Sequence, residues 1–136
     1  MNKDVISLTI PRKPDYISLV RLATSGIGYS MALNVDDIED IKVSIGEACI
    51  NSFMLNDREE ISLVFEIDEE KLAINVTGVR EIISKDLGER KERELGLLII
   101  RSLMDEVIFN DYGIRMIKYI EDDDQWQIRG KKKEKI

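Results

Sequence analysis

Glu47 and Asn51 stand four residues apart, with Ser44 three residues before them. On a helix that spacing puts all three side chains on one flank, a turn apart. A carboxylate can take up a proton, and an amide oxygen can ligate a hard cation such as magnesium. The neighbours Ala48, Cys49, Ile50, Phe53, Met54 and Leu55 are apolar, which suits a partly desolvated site. Taken alone, such a pair is more often a solvated helix edge. Other chemistries are easier to exclude. The chain has no histidine and one cysteine, which removes Ser–His–Asp and Cys–His nucleophiles and zinc-type sites. Cys49 reads as a small apolar core residue. A formal charge of −7 disfavours non-specific binding to nucleic acid and steers basic protein surfaces favourably.

The pair must be positioned by a helix over residues 36–56, where Ile38, Ile41, Ile45, Ala48 and Ser52 recur at spacings of three and four. Asp36 is a suitable N-cap, with Glu39 completing a capping box. Before it, residues 5–10 alternate as an edge strand ended by Pro11, and Pro14 and Asp15 open a helix running to about residue 32. Gly26 and Gly28 loosen that helix for close packing. Residues 61–67 and 72–76 alternate around an Asp68-Glu69-Glu70 turn and predict a hairpin. Residues 78–94 predict a charged connection with Gly88 in its middle. An apolar helix follows over 95–104, then a second hairpin, 107–110 and 114–120, around Asp111-Tyr112-Gly113. Residues 122–136, acidic and then basic, predict a flexible tail. Strands and helices are grouped rather than alternating, so the expectation for 1–136 is a single α+β domain of 136 residues. It would be a two-layer sandwich: a mixed, mainly antiparallel sheet with helices on one face. No apolar run can span a bilayer, and the N-terminus has no apolar leader pattern; a cytoplasmic protein without membrane contact is expected.

The segments IEDIKVSIGEACIN (38–51) and ELGLLIIRSLMDEV (94–107) resemble the anti-sigma factor serine kinases of bacterial partner-switching systems. These kinases have the Bergerat-type fold of the histidine-kinase-like ATPase superfamily. The similarity runs through the closing hairpin and covers nearly the whole chain. It implies a Mg-ATP site of three parts. In the first, Asn51 supplies the oxygen that ligates magnesium and Glu47 acts as general base on a partner's serine. Where the family commonly has a histidine and an aromatic residue in the next turn, this chain has Leu55 and Asp57.

The family's second part is an aspartate that accepts the adenine amino group, and its position here falls on Gly78, or at best Thr77. An adenine amino group left unpaired costs ~1–3 kcal/mol, or roughly ten- to a hundredfold in affinity. The third part is a glycine-rich helix entry that contacts phosphates. It keeps Gly96, while an earlier glycine is replaced by Arg93 or Glu94. Arg90, Lys91 and Arg93 could offset the charge of Glu94, but interleaved with Glu89 and Glu92 they read first as a solvated loop.

The resemblance therefore implies an anti-sigma-factor-like regulator that binds a sigma factor or an antagonist protein, with an eroded ATP site. The alternative is an active serine-protein kinase phosphorylating the antagonist. A homodimer is also implied, with Leu8, Tyr16, Leu19 and Val20 as candidate partner-facing residues. The reading from the residues alone places most of these in the core.

Overall fold

The computed structural model describes residues 2–55, 58–81 and 87–120. Among the described residues, apolar–polar alternation generates five strands: β1 (Asp4–Pro11), β2 (Glu60–Ile67), β3 (Lys71–Thr77), β4 (Glu106–Phe109) and β5 (Gly113–Tyr119). They form one sheet in the order β1-β2-β3-β5-β4. Every pairing among the described residues is antiparallel, so the expectation of a mixed sheet is corrected there. Each neighbouring pair closes by a hairpin or by return over a helix, and no connection requires parallel neighbours. Pro11 ends β1 at the sheet edge, where a missing N–H costs no ladder bond.

Register stacks the inward residues in rows. Leu8, Leu63, Val76, Ile114 and Phe109 form one, and Ile6, Phe65, Ile74, Met116 and Val107 the next. Leu63, Phe65, Ile74 and Met116 are fully buried. A one-residue slip would turn all of them to solvent, which pins the register. The other face carries a polar group: Glu66 accepts from Lys3, Arg115 and Asn75, and Thr9 pairs with Ser62.

Among the described residues, three helices cover the apolar face: α1 (Ile17–Ser30), α2 (Val35–Leu55) and α3 (Leu87–Leu103). A single 3-10 turn, Pro14–Tyr16, leads into α1. The predicted stripe of α2 is the core stripe, with Ile38, Ile41, Ile45, Ala48 and Ser52 all buried. Its cap is not Asp36. Asn34 accepts from the Asp37 N–H at 2.7 Å and caps the helix two residues earlier, leaving Asp36 and Asp37 in the first turn. Asn caps as well as Asp does, and the acidic pair then meets the positive helix end. At Gly28 a Cβ would lie 2.7 Å from Ile38, which accounts for close α1–α2 packing; Gly26 has open space. Val20 is buried and Leu8 packs against the core, whereas Tyr16 and Leu19 stay exposed.

The largest departure concerns α3. It begins at Leu87, eight residues before the expected start at Leu95. Arg93 and Glu94 are good helix formers where a glycine-rich entry would break the helix, so the helix propagates through them. At its other end the buried Lys118 donates to Leu103 O at 2.6 Å, with Asp40 and Asp37 at 3.6 and 3.8 Å. A lysine there satisfies a terminal carbonyl and complements the helix dipole. Among the described residues, no helix is long and apolar enough to cross a membrane. The predicted tail lies outside the described residues.

Candidate functional site

The second half of α2 faces the sheet with Ile45, Ala48 and Ser52. That orientation turns Glu47 and Asn51 sideways toward α3, as their spacing requires. Between the two helices lies a cleft of about 190 Å³ whose lining includes Glu47, Ile50, Asn51, Met54, Arg93 and Gly96. Three predicted site residues therefore meet in one place. The Glu47 carboxylate lies over the α3 backbone at Gly96, where a Cβ would be 2.8 Å from Oε2. A larger residue there would push the carboxylate aside.

Asn51 is 5% exposed, and both ends of its amide are engaged. Its Oδ1 accepts from the Arg80 N–H at 3.2 Å, and its Nδ2 donates to Arg80 O at 3.4 Å. Next to it, Ser52 Oγ donates to Thr77 O at 2.8 Å, and Thr77 Oγ1 accepts from the Ser62 N–H at 3.0 Å. A polar chain thus runs from α2 through the end of β3 to β2.

Gly78 is not in this cleft. It lies just past β3 with φ 80°, its N–H donating to Tyr112 O at 2.9 Å. It lines a second depression of about 450 Å³ with Arg58, Arg80 and Tyr112 among its walls. The positive φ explains a glycine there on backbone grounds alone. Gly96 stands ten residues into the α3 span, so its N–H is committed to the helical ladder rather than to an exposed helix start.

Sequence reasoning misjudged Arg93 and missed Arg80. Arg93 is 5% exposed, on α3 rather than on a solvated loop, and it walls the cleft. The signal was present: Arg93, Leu97, Ile100 and Met104 recur at helical spacing, and all four are buried. Lys91 and Glu94 are exposed, as expected of them. Arg80 offers its backbone, which no side-chain pattern reveals. Cys49 is fully buried, and burial pushes its thiol up to about 12, with Arg21 opposing; it stays a protonated core group. Among the described residues, no group of three or more Cys, Asp or Glu side chains could hold a metal. The oxygen donors that line the cleft are the Glu47 and Glu92 carboxylates and the Asn51 amide.

A two-layer α+β sandwich with a Glu–Asn pair on its central helix, facing a cleft beside the next helix, is the layout that the resemblance to histidine-kinase-like ATPases implies. Residues 10–127 match the histidine kinase-like ATPase domain. The serine-protein kinase RsbW of Bacillus cereus (strain ZK / E33L) is 37% identical, the alignment covering 85% of each chain. That of Bacillus subtilis (strain 168) is 30% identical over 88% of each. The chain belongs to the anti-sigma factor serine-protein kinase family of histidine kinase-like ATPases.

Proposed function

We propose that this protein is an anti-sigma-factor-type regulator that works by binding protein partners, its nucleotide site having been given over to structure. The observation that carries this reading is the pairing of Asn51 with Arg80: the oxygen that would ligate magnesium accepts a backbone N–H instead. Three further features support it. No carboxylate stands at Gly78 to receive an adenine amino group. The Gly96 N–H is spent within α3. The depression that holds Gly78 is also separate from the cleft that holds Glu47, Asn51 and Gly96. The residues present do not fit Mg-ATP as the family would hold it.

A protein partner is then the ligand class that remains, either a sigma factor or an antagonist of the regulator. The charge of −7 favours a basic partner surface. Tyr16 and Leu19, 38% and 47% exposed, are apolar contacts available to a partner or to a second copy of the chain. The test is pairwise co-elution with each alternative sigma factor and each antagonist protein of the host, in Mg-ATP and in EDTA. One stable complex, equally tight in both, is expected. Binding only in Mg-ATP, or none in either condition, would contradict the reading.

One observation favours an active kinase as the second reading. Glu47 has no hydrogen-bond partner among the described residues and lines the cleft, as a general base would. Transfer of a labelled γ-phosphate to a serine of a co-expressed antagonist would establish that reading.

A further inference from the structure

From the last residue of β3 onward, five consecutive residues are each fixed to a different neighbour. Thr77 O accepts from Ser52 of α2 at 2.8 Å. The Gly78 N–H donates to Tyr112 O in the β4–β5 turn at 2.9 Å. Val79 is 1% exposed and belongs to the core. Arg80 pairs through both backbone groups with Asn51 of α2, at 3.2 and 3.4 Å. The Glu81 carboxylate accepts from Arg101 of α3 at 2.8 Å.

The sheet explains why Asn51 is needed there. The β3–β5 ladder ends at Thr77 opposite Gly113, so the N–H and C=O of Arg80 lie beyond any strand partner. Arg80 is exposed, so without Asn51 water would satisfy these groups and this point would have no bond to α2. A side-chain amide carries one acceptor and two donors, and Asn51 meets both needs of Arg80 at once. This assigns the oxygen and nitrogen of the amide without ambiguity, since a flipped amide would face like against like.

We infer that Asn51 acts in this chain as a conformational tie, holding residues 77–81 against α2 whether or not nucleotide is present. The inference rests on the proposed loss of the nucleotide site and deepens it: the root of the β3–α3 connection is set by the fold. A partner reading the surface around α2, α3 and residues 77–81 would meet one conformation rather than a nucleotide-dependent pair. Turning the Asn51 oxygen toward a cation in the cleft would release the Arg80 N–H, so the tie and metal ligation compete.

Residue-resolved hydrogen exchange at the Arg80 amide tests this directly, because that N–H donates to the group in question. In Asn51→Ala its exchange is expected to accelerate about tenfold or more, while the Ile41 and Ile45 amides in the α2 core keep their rates. Unchanged exchange at Arg80 would overturn the tie. Should all amides accelerate together in Asn51→Ala, the comparison within that variant decides the matter. An Arg80 amide that accelerates more than those of Ile41 and Ile45 supports the tie, and one that accelerates no more than they do overturns it. Adding Mg-ATP to the unmodified protein separates the two claims. Calorimetric binding would end the eroded-site reading, whereas a changed Arg80 rate would end nucleotide independence of the tie.

Discussion

Glu66 sits on the open face of the sheet among three donors. Hydrogen bonds from Lys3 first, then from Arg115 and Asn75, lower its carboxyl from 4.5 to about 2 against the opposing effect of burial. A carboxyl lowered on folding stabilises the native state above its unfolded value, and that contribution disappears as pH falls through the folded one. The contribution is therefore full above pH 4.5 and lost on approach to pH 2. Urea unfolding across that window should show Glu66→Gln with a flatter pH dependence than the unmodified chain; identical slopes would show that the cluster contributes nothing. At this scale the sequence was legible where chemistry depends on neighbours a turn apart. Glu47 and Asn51 share a flank as their spacing says, and Gly96 joins them. The bond from Asn51 to Arg80 spans 29 residues and depends on where β3 ends against α2, which no local pattern encodes.

Helix ends carry the differences at the scale of elements. Asn34 and Asp36 are both good caps by residue type, and packing of Ile38 against Gly28 accompanies the earlier start. The start of α3 was hidden because a run alternating Glu with Arg and Lys reads as a solvated connection, although the same residues have good helix propensity. Arg93, in step with Leu97 and Ile100, was the available clue. The end of α1 offers a test of local energetics. Ala32 has φ 61°, and Leu33 and Ala32 donate to Gly28 O and Tyr29 O in a Schellman arrangement. An alanine in the left-handed region is strained by ~1–2 kcal/mol. Ala32→Gly should accordingly raise stability by about 1 kcal/mol after its own entropic cost, seen as a higher denaturant midpoint at unchanged slope. A lower midpoint would mean that the backbone there is relaxed.

Across the whole molecule, the grouping of strands and helices was enough to predict α+β layering with helices on one face. It did not settle the sheet as wholly antiparallel, because the partner of β1 is decided by rows such as Ile6 against Phe65, a long-range match. The family was legible in two segments that frame the cleft. What those segments now do was less so, since Asn51 keeps its identity while its oxygen faces Arg80, and Gly96 keeps its identity inside a longer helix. On the proposed function, the frame of the histidine kinase-like ATPase domain persists with its ligand groups reassigned to the fold. The most direct test is calorimetric titration of the full chain with Mg-ATP and Mg-ADP. No binding up to millimolar nucleotide is predicted. Micromolar binding that is abolished by Asn51→Ala would contradict the account.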